Sequence, residues 1–336
     1  MDKCYIVIGM QANTIDYTGY SLKQTNGYDF AAEHLTDKYV IIYSILVHEQ
    51  EDVVLDLVKN IFYFNKSIPC CIILNCSIDL YSKINAKFKD VKHLYMNPKP
   101  VNKKWATYSL FEAHLDNYYY VSRNISSSFD YFIPLASNCL FHKEFTLGFL
   151  NKELDTVYDD YRISEPILHI SPNNAQFIFN KTKILFENKG LVDFFESLSI
   201  KIVYSQIEGA IIDKDTMEYI YRFVTYYDLK SKITKDSHAF EEVIYGTLYM
   251  KKNKKMMPHM CKVFWKKDPE TIINYLSKYF FNTTRELNVP TLDELNEINE
   301  ACVKNIPRNM DNNLRVYIRT KTSNYRNLPN FSLTNL

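Results

Sequence analysis

Residues 39–76 read YVIIYSILVHEQEDVVLDLVKNIFYFNKSIPCCIILNC, and their pattern decides the fold class. Tyr39–Val47 and Ile68–Leu74 are short apolar runs bounded by polar residues, as interior strands of a parallel sheet are. Between them, Val54, Leu57, Val58, Ile61 and Phe62 recur at helical spacing over Glu51–Phe64, and Glu51 and Asp52 make the first turn acidic. Strand, crossover helix and strand form a βαβ unit. Working outward, Val91–Met96 and Phe129–Leu135 read as further strands, and Trp105–Val121 as a second, aromatic-rich helix. The expected class is α/β, with a mainly parallel central sheet flanked by helices.

Beyond residue 150 the pattern is less even. Residues 151–189 are irregular and contain Pro166 and Pro172. Short strands are expected at Ile200–Tyr204 and Gly209–Ile212. Asp213 stands where a helix N-cap belongs, ahead of a helix over Thr216–Thr225. A helix over Ala239–Met250, a basic loop at Lys251–Lys255 and a strand near Val263 follow. Two more helices are expected over Pro269–Lys278 and Thr291–Lys304. No repeat and no Gly/Ser-rich linker divides the chain. The economical reading is one domain over 1–320, with a polar excursion at 11–37 and a loosely held tail at 321–336.

The 336 residues are 46% hydrophobic, enough to bury a large core. Tyr (27) and Phe (21) are abundant while Gly is scarce (7), a bias that AT-rich coding produces. The 40 basic and 39 acidic side chains nearly cancel, which counts against binding polyanions by charge alone. Cys4, Cys70, Cys71, Cys76, Cys139, Cys261 and Cys302 show no Cys-x-x-Cys pair and no zinc spacing, as expected for reduced thiols of a cytoplasmic protein. Neither a signal peptide nor a run of the ~20 apolar residues needed to span a bilayer is evident, leaving only peripheral membrane contact.

Phosphate-loop, dinucleotide, zinc-protease and serine-hydrolase motifs are missing. Asp213-Lys214-Asp215 has the Asp-x-Asp form that holds divalent ions in many sugar transferases. Two acids opening a helix also complement its dipole and cap its N–H groups, and the cap is the favoured reading. No metal site is assigned.

Five segments in order resemble the core-2/I-branching N-acetylglucosaminyltransferase family. Ile42–His48 is similar to the family's opening strand and its Val-His donor contact, here Val47 and His48. Lys104-Trp105-Ala106-Thr107-Tyr108-Ser109-Leu110 resembles its Trp-Gly-x-x-Ser-Leu helix start. Phe129–Ser137 looks like the strand ending in a Leu-Ser-Gly-x-Asp turn, and Ala210–Asp215 like the strand running into a Ser-Arg-Glu helix. Phe240-Glu241-Glu242-Val243 followed by Thr247-Leu248 resembles the Pro-Asp-Glu segment. The match spans roughly residues 39–290. It implies a GT-A fold, an inverting transfer from a UDP-sugar such as UDP-GlcNAc, Glu242 as base, and no metal or other cofactor. Donor-site residues implied by it are Val47, His48, Trp105 and Ser137, with Lys262 and Arg285 stabilising the diphosphate. The sequence departs from the pattern at two acids: Asn138 or Cys139 stands at one, and the Asn75-Cys76 pair at the other.

An inverting transfer needs one carboxylate to take the acceptor's proton and positive charge for the leaving diphosphate. Glu242 can serve as the first; alternatively, Glu241 and Glu242 simply open a helix. Lys262 and Arg285 have the chemistry for the second, and a surface position is the alternative. His48 sits at a strand end where α/β ligands bind, or begins an ordinary loop. Trp105 lines the donor site or anchors its helix in the core, and His238 lies close enough in sequence to tune Glu242. The leading acceptor is a surface polysaccharide or lipopolysaccharide. Two other readings remain: transfer to a modified nucleic-acid base, and a catalytically silent glycan-binding protein.

Overall fold

A computed structural model describes residues 40–104, 107–125, 128–155, 187–203, 205–234, 236, 240–263, 292–304 and 306–323. All seven residues of β1 (Ile41–Val47) and all seven of β2 (Cys70–Cys76) are buried. A strand can be buried throughout only when both sheet faces are covered, and helices cover both here. From β1, Ile41, Tyr43, Ile45 and Val47 pack with Val54, Leu57, Val58 and Ile61 of α1 (Glu51–Phe64). Ile42 points to the other face, among Phe111, Tyr118 and Val121 of α3 (Tyr108–Asn124). The period-two alternation of the strand divides the interior into two cores.

Between β2 and α3 lie α2 (Ile78–Phe88) and β3 (Leu94–Met96). β4 (Tyr131–Ala136) follows α3, and β6 (Ile212–Asp213) completes the main sheet in the order β3-β2-β1-β4-β6. β1 pairs in parallel with β2 and β4, β2 in parallel with β3, and β4 antiparallel with β6. Pro134 is tolerated inside β4 because its carbonyl faces away from β1 and accepts from Gly209 N at 2.8 Å; the missing N–H therefore removes no bond to β1. The fold is thus mixed α/β, with a mostly parallel central sheet between helices.

A second sheet is built from β5 (Leu140–Phe141), β7 (Cys261–Val263) and β8 (Cys302–Lys304), ordered β5-β8-β7. It is tied to α1 by a reciprocal pair. Asn60 Nδ2 donates to Phe141 O at 2.8 Å, and Phe141 N donates to Asn60 Oδ1 at 2.7 Å. The remaining helices are α4 (Leu147–Asp155), α5 (Lys189–Ser197), α6 (Lys214–Tyr226), α7 (Phe240–Asn253), α8 (Leu292–Glu297) and α9 (Asn313–Ser323). None of the described helices is long and apolar enough to cross a membrane.

Several expectations change. The helix expected over Thr291–Lys304 stops at Glu297, and Cys302–Lys304 forms β8, where pairing on both sides outweighs local helical spacing. Ile200–Val203 forms no strand of either sheet; Val203 N instead donates to Thr247 Oγ1 of α7 at 2.9 Å. The strand expected over Gly209–Ile212 is reduced to Ile212–Asp213. α2 was not anticipated, although Leu80, Ile84 and Phe88 share one helical face. The regions 11–37, 156–186 and 264–291 lie outside the described residues, as do most of the expected tail and the helix Pro269–Lys278.

At Gly209 the chain has φ +78°, and a Cβ there would meet Cys261 Cβ at 2.3 Å and its backbone N at 2.8 Å. Both the left-handed conformation and the close approach require glycine. Gly209→Ala is expected to destabilise the fold by at least ~2 kcal/mol in urea unfolding. A cost within ~0.5 kcal/mol of zero would show this approach to be wrong.

Candidate functional site

In the order β3-β2-β1-β4, the chain winds outward in one direction from β1 and then returns to its other side at β4. Such a reversal leaves a crevice beyond the carboxyl ends of the two strands, where open α/β sheets bind ligands. The chain here leaves β1 through His48 and Glu49, and β4 through Ser137, Asn138 and Cys139.

Glu49 is buried, and its carboxylate contacts His48 Nε2 at 3.0 Å and the Arg308 guanidinium. Burial alone would raise its pKa. Hydrogen bonding and charge from His48, with Ser137 and Arg308, outweigh that and hold the carboxyl at about 2. A depressed carboxyl pKa stabilises the fold fully above the unfolded value near 4.5, and this contribution is lost as pH falls toward 2. Glu49→Gln is therefore expected to lose ~2–3 kcal/mol at pH 7 and to flatten the stability profile between pH ~5 and ~2. Denaturant titrations across that range check it; parallel profiles for variant and wild type would contradict it.

His48 and Arg308 are themselves about half exposed, at 54% and 49% of their side-chain surfaces. Glu49 thus holds two cationic or hydrogen-bonding groups at the crevice mouth while leaving their outer faces open. At the tip of β2, Asn75 is fully buried, and among the described residues neither atom of its side-chain amide has a hydrogen-bond partner. Asn138 Oδ1, at the tip of β4, is in the same condition. Buried polar atoms are almost always paired, so each unmatched one calls for a partner such as water, an ion or a polar ligand. Lys103 Nζ donates to Asn75 O at 2.9 Å and to Val101 O at 3.1 Å. Desolvation lowers its pKa to about 8, against the pull of Cys76 and Asp116.

Below this crevice, on the α3 side of the sheet, a buried polar chain joins the strands to the helix. Asn97 Nδ2 donates to Asn117 Oδ1 at 2.9 Å, Asn117 Nδ2 donates to Ser44 Oγ at 2.9 Å, and Ser44 Oγ lies 2.8 Å from His114 Nδ1. Burial drives His114 down to about 3, so its ring is neutral and acts as a fixed support.

Glu242 lies in the first turn of α7 and is 8% exposed. Its backbone carbonyl accepts from Ser205 N at 2.8 Å, which ties the helix start to the 205–210 segment. Gly246 allows that approach, since a Cβ there would meet Ser205 Cβ at 2.8 Å. The same segment carries Glu208, which pairs with Lys304 of β8. Burial raises Glu208, opposed by Lys304 and reinforced by Cys139 and Glu242. Lys304 is held above the ordinary lysine value: burial acts to lower it, but its interactions with Glu208 foremost, then Glu242 and Cys139, prevail. Glu242, Glu208 and Lys304 therefore form one electrostatically linked group beside the β4 tip, with Glu242 buried and the other two partly so.

Of the residues anticipated from sequence, Val47, His48 and Ser137 lie at the β1 and β4 tips, and Glu242 lies in the group with Lys304. Lys262 does not join that group by any described contact; it is on β7 and pairs with Glu300 at 3.8 Å. Trp105, Arg285 and His238 lie outside the described residues. Asp213 caps α6, its carboxylate accepting from Thr216 N at 2.8 Å. Glu49, Lys103, Glu208, Lys304 and Arg308 were not anticipated. Lys304 and Arg308 could not have been, because their segments reach the strand tips through tertiary contacts: β8 pairs with β5 and β7, and Ile306 N donates to Asn138 O at 3.1 Å.

The sequence matches no protein-family model and no curated protein, so the functional reading rests on this geometry and its chemistry.

Proposed function

We propose that the protein is an inverting glycosyltransferase with a GT-A-type donor site, moving GlcNAc or a related sugar from a UDP-sugar to an acceptor hydroxyl without a metal. One observation carries this reading. A buried carboxylate, Glu242, shares a charged group with Lys304, next to a crevice at the sheet's reversal point that offers cations and unpaired amides. Glu242 takes the acceptor proton.

Arg308, His48 and Lys103 stand at the tips of the adjacent strands β1 and β2, where a nucleoside diphosphate would place its negative charge. Arginine supplies a planar fork to phosphate oxygens and lysine a point charge. The amides of Asn75 and Asn138 can hydrogen-bond a base or sugar that carries both donors and acceptors. The acceptor is a surface polysaccharide or lipopolysaccharide, met by peripheral contact if it is membrane-held.

A second reading is favoured by one feature. Asn75 and Asn138 stand near positions where the resembled family carries acids, and an amide keeps the hydrogen bonds but not the charge. That substitution fits a protein that binds a sugar nucleotide or glycan without transferring it.

Thermal melting with a panel of UDP-sugars in EDTA tests the donor site. A ligand at 100 times its Kd stabilises the fold by ~2.7 kcal/mol, so the correct donor gives a clear upward shift. Lys103→Met is expected to weaken that donor roughly tenfold, the loss of ~1.4 kcal/mol. The reading fails if no UDP-sugar shifts the transition, or if EDTA removes the shift and Mn²⁺ restores it.

A further inference from the structure

Three of the cysteines converge. Cys261 and Cys302 are register partners on the parallel strands β7 and β8, so their side chains leave the same face of the small sheet. Cys139 reaches them from the turn after β4, a turn closed by the bond from Cys139 N to Ala136 O at 3.0 Å. The three sulfurs lie within 4.8 Å of one another, and all three residues are buried. The other described cysteines, Cys70, Cys71 and Cys76, are spread along β2 and do not share this cluster.

From this arrangement we propose that Cys139, Cys261 and Cys302 form a three-sulfur site for one thiophilic divalent cation of the zinc class. A metal–sulfur bond of ~2.3 Å places sulfurs a little under ~4 Å apart around one ion, so modest inward movement of the thiols completes the site. Soft sulfur donors select zinc-class ions over magnesium or calcium, which take oxygen. Binding converts thiols to thiolates and releases their protons to solvent. The resulting negative charge is offset by the divalent ion and by the ammonium of Lys304, which interacts with Cys139. The site joins the β4 tip to the second sheet, so occupancy would stiffen the wall that carries Lys304. It does not depend on the sugar-transfer reading.

The test uses the full chain, reduced and treated with chelator, then titrated with Cd²⁺ and separately with Zn²⁺. The expected result is an ultraviolet sulfur-to-cadmium charge-transfer band that saturates at one equivalent, and a higher melting temperature with either ion. Cys302→Ser and Cys139→Ser should lose the band, whereas Cys71→Ser, buried on β2, should keep it. Circular dichroism establishes that each variant is folded. If a serine variant does not fold, the wild-type titration decides alone. Absence of both band and thermal shift in the reduced wild type overturns the proposal. So does a band that Cys71→Ser abolishes, or one that survives in a folded Cys302→Ser variant.

Discussion

Replacing Asp56 with alanine is expected to destabilise the protein by ~3–5 kcal/mol, because it strands a buried guanidinium. Arg315 of α9 is fully buried, with its Nη1 paired to the Asp56 carboxylate of α1 and its Nε donating to Pro307 O at 3.0 Å. Removing the carboxylate leaves a charge without its counter-ion in a region walled by the α1-side core. The pair itself adds far less than this figure, since burying both ions carries a desolvation cost of its own. Urea unfolding of Asp56→Ala, Arg315→Met and the double variant separates the two effects. The double variant should recover much of what Asp56→Ala loses. A single-variant cost under ~1 kcal/mol would mean that Arg315 finds other partners or water.

Glu242→Gln is expected to lower the transfer rate by ~10²–10⁴-fold, the usual contribution of a positioned base. Glutamine keeps the size and the hydrogen-bonding atoms but cannot accept the proton at neutral pH. Donor binding, read as the thermal shift with the UDP-sugar, should stay within about twofold, because a base that touches the acceptor adds little to donor affinity. The loss should therefore appear in kcat. Retention of most activity would move the base elsewhere, and Glu208, which belongs to the same charged group, is a rival carboxyl. Its ion pair with Lys304 makes it a poorer one, whereas its raised pKa would suit a base. Wild type that binds donor but transfers nothing to any acceptor, water included, would favour the silent reading.

The contrast between Glu242 and Lys262 shows how far the sequence reached into the site. The helix start that carries Glu242 was legible because helix starts obey rules of a few residues, whereas the residue's role as base came from the family resemblance alone. The cation near it was not legible. Lys262 and Lys304 both belong to short strands of the small sheet, and only Lys304 pairs with Glu208. Nothing within five residues of either lysine records that difference. The choice comes from the register of β7 against β8, which pairs Val263 with Lys304.

By itself, the sequence determined the α/β class, the βαβ unit and the Asp213 cap. Burial on both faces makes a parallel strand apolar throughout, and an amphipathic helix repeats every 3.6 residues; both signals are local and additive along the chain. Only the tertiary structure decided the reversal of strand order at β1, the support of His48 and Arg308 by Glu49, and the meeting of Cys139 with Cys261 and Cys302. Apart from the neighbours His48 and Glu49, these join residues 90 or more positions apart. Such contacts are selected by the free energy of the whole packed arrangement, which no single stretch of chain encodes.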